Sequence, residues 1–224
     1  MSSERHVIER NEPHILYVRG ERIEQIKGGA DHVSNSLLYM LRTYFQHSVN
    51  ELYLYEFCKR PTSRQAVLFD ALQGRFFPYG RQEAAQLRRI IPSYDFVFLD
   101  QSVYGRLLSD ARVSRPDLKT AVLFHNVECE FYAQRVWRAG RIHNALLIPA
   151  ILRAEKEALR ADLVMTLTRK DSKKLQCLYG RSADCIIMPV VADRYNRALA
   201  EQVKSKNKTD KFNMLFAGSA FPPN

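Results

Sequence analysis

Short apolar runs rich in β-branched and aromatic residues recur along the chain at Ile15–Val18, Leu52–Phe57, Phe96–Leu99, Ala121–Phe124, Leu163–Leu167 and Cys185–Val191. Most are continuous rather than alternating. An alternating strand leaves one face wet, whereas a continuous run needs cover on both faces, as in a parallel sheet between helical layers. Helical spacing separates several of the runs. Val33, Leu37, Leu41 and Phe45, with Met40 and Tyr44, make one stripe, and Ala84, Leu87, Ile90 and Ile91 make another. Residues 144–161 predict a helix in two pieces joined at Pro149, with Arg153 and Glu157 one turn apart. Thr168 to Asp171 predicts a helix start, with Asp in the place that Glu holds in a capping box, and Gly180 supplies the stop. The stretch 58–80, rich in Pro, Arg and aromatics, predicts a loop. Strands that alternate with helices give an α/β, Rossmann-like, doubly wound and mostly parallel sheet.

The pattern changes after residue 192. Residues 193–211 are polar and charged and predict a linker; Asn213–Ala217 then predicts one more strand, followed by Gly218 and Ser219. A buried-type strand with a small-residue turn is how a βαβ unit opens, and a crossover needs a dozen residues or more. The expected division is therefore a domain over 1–192, a linker over 193–211, and the first strand and turn of a second domain over 212–224.

Composition narrows the class. At 46% hydrophobic and 11% aromatic residues, the chain can bury a core, which excludes disorder. No apolar stretch is long enough to predict a membrane span, and the charged start does not resemble a signal peptide. Cys58, Cys129, Cys177 and Cys185 are scattered, which suits a reduced cytoplasmic protein and predicts no metal site. Thirty-four Lys and Arg against 24 Asp and Glu leave a charge of +10. Residues 130–182 hold eleven of the basic residues against five acidic ones. Such a face attracts nucleic acid, an anionic membrane or phosphorylated small molecules. No helix-turn-helix, zinc-finger or RNA-recognition signature accompanies it, so a nucleic-acid-binding module is the alternative rather than the expectation.

Ligands of open parallel sheets bind outside the carboxyl ends of the strands. The residues that follow the predicted strands are therefore the candidates. They are Gly28 and Gly29 before the first helix, Asp100 after Leu99, and His125, Asn126 and Glu128 after Phe124. Thr168, Arg169 and Asp171 follow Leu167. Glycines beside a helix start let a phosphate approach backbone amides. A histidine can bond a sugar hydroxyl or move a proton near neutral pH. Glu155 and Glu157, on a basic helix, predict charge-balancing partners rather than acids or bases. No Gly-x-Ser-x-Gly elbow is present, which argues against an α/β-hydrolase.

The ordered set Lys27-Gly28-Gly29-Ala30-Asp31, Tyr94–Gln101 with Gly105, Leu123–Glu128, Glu155 with Ala161-Asp162, Leu167–Ser172 with Tyr179-Gly180, Ile187–Pro189 and Leu215–Ser219 with Pro222-Pro223-Asn224 resembles the N-terminal half of GT-B glycosyltransferases of the family-four kind. The resemblance spans about residues 13–224. It implies two Rossmann-like domains across a cleft, of which the first binds the acceptor and the second the nucleotide-sugar donor. His125 would then be catalytic, near the reacting sugar. Gly28, Gly29, Gly218 and Ser219 would meet donor phosphates, and Asp100, Asn126, Glu128, Thr168, Arg169 and Asp171 would line the substrate side. No metal or bound cofactor is implied beyond the nucleotide-diphosphate sugar. The acceptor would be a glycan or a lipid-linked glycan, with peripheral contact to an anionic inner membrane face, and transfer would proceed with retention. Without its donor half the piece would be inactive alone. A sugar-nucleotide epimerase of the same shape is a further alternative.

Overall fold

A computed structural model describes residues 13–24, 29–57, 64–139, 145 and 147–187. Six parallel strands form one sheet in the order β2-β1-β3-β4-β5-β6. They are β1 (Ile15–Arg19), β2 (Val49–Tyr53), β3 (Phe96–Leu99), β4 (Lys119–Phe124), β5 (Leu163–Thr166) and β6 (Cys185–Ile186). The helices are α1 (Gly29–Phe45), α2 (Leu54–Phe57), α3 (Arg64–Leu72), α4 (Arg81–Ile90), α5 (Arg106–Ser114), α6 (Glu128–Ala139), α7 (Ile148–Ala158) and α8 (Arg169–Tyr179). The α/β, doubly wound class predicted from the pattern is the observed one.

The continuous runs are explained by cover on both faces. Tyr17, Phe98, Ala121, Leu123 and Met165 face Val33 and Leu37 of α1. Their neighbours in sequence, Leu16, Val18, Val97, Leu99, Val122, Phe124 and Val164, face Leu87 of α4, Leu107 and Leu108 of α5, Ile151 of α7 and Leu175 of α8. All five residues of β1 are buried. Each such aliphatic side chain contributes about 1.5–3 kcal/mol when taken from water.

Several boundaries differ from expectation. The run Leu52–Phe57 is not one strand: β2 ends at Tyr53 and Leu54–Phe57 turns into α2. The apolar run crosses a strand end because Leu54, 0% exposed, anchors α2 in the same core. The stretch 58–80 is not all loop, since Arg64–Leu72 forms α3, whose Ala71 is buried. The two pieces meet one residue before Pro149: Ala145 and Leu147 are 3-10 helical, and Pro149 stands in the first turn of α7, where its missing N–H has no intrahelical partner to lose. Helices α5 and α6 stand where no helix was predicted.

The predicted start and stop of α8 are as expected. Thr168 Oγ1 accepts from the Asp171 amide at 3.0 Å, and Gly180 closes the helix at φ 77°. Residues 188–224, and with them the expected linker and the start of a second domain, lie outside the described residues. Among the described residues no helix is long and apolar enough to cross a membrane.

Candidate functional site

The strand order sets the site. From β1 the chain moves to β2 on one side, then returns to build β3 to β6 on the other. The carboxyl ends of β1 and β3 therefore flank the point where the winding reverses, the crevice in which open α/β sheets bind ligands. Arg19 closes β1, Asp100 follows β3 and His125 follows β4.

These three converge. His125 Nε2 lies 3.0 Å from Asp100 Oδ1 and 3.4 Å from Ser34 Oγ. Arg19 Nη2 donates to Asp31 Oδ1 at 2.7 Å, and Arg19 Nη1 stands 3.5 Å from Asp100 Oδ2. Asp100 is fully buried and Arg19 is 6% exposed. A buried carboxylate needs opposite charge and donors, and it receives both here. With Nε2–H donated to Asp100, His125 Nδ1 carries the ring lone pair; this atom is buried without a partner. The dyad thus fixes the ring and leaves one nitrogen unspent. Tyr17 lies beneath, and burial together with the Asp100 charge holds its phenol well above the ordinary range.

The next layer is built by Glu155. It is 0% exposed on α7 and accepts from the backbone amides of Glu128 at 2.7 Å and Cys129 at 3.3 Å, and from the Tyr179 hydroxyl. A carboxylate at two free amides is a cap for the start of α6. It holds that helix start directly after His125. Glu155 is thus no surface charge-balancer, which corrects the expectation for it; Glu157 does balance charge, as expected, with Arg160 and Arg106 rather than with Arg153 one turn away. Arg153 reaches the Leu72 carbonyl, while Glu157 takes Arg160 and Ser109. Burial, then the Glu155 charge, pushes the Glu128 carboxyl up to about 7, with His125 and Asn126 partly opposing.

Of the sequence candidates, Asp100 and His125 bond directly, and Asn126 and Glu128 adjoin them on the β4–α6 turn. Asn126 is exposed there. Thr168 and Asp171 bond each other and cap α8, and Arg169 stands exposed beside them. No hydrogen bond or ion pair among the described residues ties these three to the dyad. Gly29 opens α1 on the exposed side, and a Cβ there would meet nothing within 4 Å. The described residues therefore give no steric reason for a glycine at that position. Gly28, Gly218 and Ser219 lie outside the described residues.

Sequence reasoning missed Arg19, Asp31, Ser34 and Tyr17. The available signal was Arg19 itself, a charge closing a strand whose every other residue is apolar. Among the described residues no group of three or more His, Cys, Asp or Glu is placed to hold a metal ion.

Three of the eleven basic residues of 130–182 are in ion pairs, whereas Lys156, Arg169, Lys170 and Lys173 are exposed without an acidic partner among the described residues. Arg160 pairs with Glu157, Arg181 with Asp184, and Lys174 with Glu130 and Asp171. Arg135 lies 4.8 Å over the Phe131 ring. No protein-family model matches this chain, and no curated protein matches it.

Proposed function

We propose that this chain is the acceptor-side domain of a nucleotide-sugar-dependent glycosyltransferase of GT-B shape, with His125 as its catalytic side chain. The observation that carries this reading is the buried Asp100–His125 pair at the reversal point of a parallel sheet, beside the start of α1. Glycosyl transfer develops positive charge at the sugar carbon and negative charge on the departing diphosphate. A side chain held in one orientation by a buried carboxylate suits the first, because it meets the developing charge without reorganising. Arg19 and Asp31 hold Asp100 and the start of α1 together, so the positioning extends from the dyad to the crevice wall.

Sugar transfer from nucleotide sugars by the protein purified from its native source tests the proposal, read as nucleotide-diphosphate release that depends on acceptor. His125→Ala is expected to lower turnover by about a hundredfold or more while the thermal midpoint stays within a few degrees. Turnover near that of the parent protein would remove His125 from the site, and no transfer from any nucleotide sugar would remove the activity.

A further inference from the structure

A cavity of about 450 Å³ lies between the β1–β2 face and α1, lined by Tyr17, Arg19, Ser34, Asn35, Arg42 and Glu51 among others. It is assembled by register and helical phase. Tyr17 pairs with Glu51 and Arg19 with Tyr53 across the two strands. Ser34, Asn35 and Arg42 share one side of α1. Ser34 is the hinge to the dyad, since its hydroxyl stands 3.4 Å from His125 Nε2.

We propose that this cavity binds an uncharged, polyhydroxylated ring, and, resting on the glycosyltransferase reading, that this ring is a sugar residue of the acceptor and carries no phosphate. Two observations lead there. First, the wall is polar and unsatisfied. Arg19 Nε and Nη1 are buried without a hydrogen-bond partner, and the Tyr17 hydroxyl lies beside Asp100 and Ser34 without closing a well-formed bond to either. The Asn35 side chain makes no hydrogen bond among the described residues. The buried Arg19 and Tyr17 atoms, with the half-buried Asn35 amide beside them, call for a ligand or water rich in donors and acceptors rather than for hydrocarbon. The volume falls in the range that holds small organic ligands.

Second, the positive charge is already cancelled. Arg19 faces Asp31 and Asp100, Arg42 pairs with Glu51, and Arg22 pairs with Glu56. The adjoining cavity, about 460 Å³, shares Arg19 and Arg22 and adds Glu21, Glu24, Asp31 and Glu56. An anion finds no uncompensated guanidinium here, and Glu21 and Glu24 add further negative charge in the adjoining cavity. A neutral ring meets no such barrier and can accept from the arginines while donating to the carboxylates.

The test is ligand-observed NMR titration of the 224-residue chain, without nucleotide sugar. The probes are methyl glycosides of glucose, galactose, mannose, xylose, rhamnose and N-acetylglucosamine, set against glucose 6-phosphate and glucuronate. At least one methyl glycoside is expected to bind in the millimolar range, as one ring with a few hydrogen bonds should, and about tenfold more tightly than either anion. Asn35→Leu should weaken that binding about tenfold with the fold intact by circular dichroism. Glu51→Gln frees the Arg42 guanidinium and should reverse the preference towards glucose 6-phosphate. No glycoside binding up to about 50 mM, or glucose 6-phosphate bound by the parent chain as tightly as any glycoside, overturns the proposal. If a glycoside binds and Asn35→Leu weakens it, but the native protein transfers no sugar, the cavity stands and the transferase reading falls. If transfer proceeds without any glycoside binding, the cavity proposal alone falls.

Discussion

Gly105 gives the sharpest physical test of how the site is supported. It precedes α5 with φ −53° and ψ −30°, a helical conformation open to any residue, so backbone freedom does not explain the glycine. Packing does. A Cβ built there would lie 2.1 Å from the Ala154 carbonyl oxygen, 2.5 Å from the Ala158 nitrogen and 2.6 Å from the Ala158 Cβ. The first two are backbone atoms of α7, which cannot turn aside as a flexible side chain can. Since non-bonded carbon contacts settle at about 3.5–4.0 Å, α7 must retreat by about 1 Å or more. Ile151, Ala154, Glu155 and Ala158, all 0% exposed, sit on the face that would move. Overpacking of this kind costs about 1–3 kcal/mol and more when backbone must shift, so Gly105→Ala should cost about 3 kcal/mol. With a urea slope of about 2 kcal/mol/M, the unfolding midpoint should fall by about 1.5 M. Gly29→Ala is the matched control. Nothing lies within 4 Å of its Cβ and the position is helical, so it should be neutral or gain up to about 1 kcal/mol. A Gly105→Ala midpoint within about 0.3 M of the parent chain would refute the seating of α7 on this turn, and with it the account of how Glu155 reaches α6.

Glu128→Gln tests the environment beside the dyad through pH. Its carboxyl rises from 4.5 to about 7 on folding, so the folded chain holds the proton between those values while the unfolded chain releases it. Stability from this group is therefore complete below about pH 4.5 and lost as pH rises towards 7, a swing of about 3 kcal/mol. Glu128→Gln should gain on the parent chain across that window in urea unfolding at stepped pH, and a pH-independent difference would contradict the burial assigned to Glu128. Asp110→Ala addresses a second buried carboxylate, 1% exposed, which takes Arg75 through both oxygens at 3.1 and 3.0 Å, the Tyr79 hydroxyl at 2.9 Å and Arg88 at 3.2 Å. Removing it leaves three guanidinium groups, those of Arg75, Arg88 and Arg106, without their shared anion, and the thermal or urea midpoint should report a loss of about 3–5 kcal/mol. A loss under about 1 kcal/mol would mean the arginines reach water instead.

What was legible in the sequence was what neighbours in the chain decide. Thr168 and Asp171 are three residues apart, Gly180 ends the same helix, and the runs that form β1, β3, β4 and β5 report cover on two faces; all of these are local and stand as read. The site is decided otherwise. Glu155 caps Glu128 from 27 residues away, Arg19 meets Asp100 from 81, and His125 meets Asp100 from 25. Glu155 misled because its local context, Lys156 and Glu157 on a basic helix, suggests pairing along the surface, whereas Ala154 and Ala158 flank it on the same buried face. A carboxylate between two small residues on an apolar helix face has no local partner and must find donors in space. The same holds for Arg19, which closes Ile15–Val18, and for Asp100, which follows Phe96–Leu99. Each carries a charge into a layer covered on both sides, where an unpaired ion would cost several kcal/mol. A charge at the end of a doubly covered strand is thus a long-range signal in a local pattern. Two such ends, β1 and β3, belong to adjacent strands in register, Val18 against Leu99, so their charges are brought side by side by the same hydrogen-bond ladder that builds the sheet.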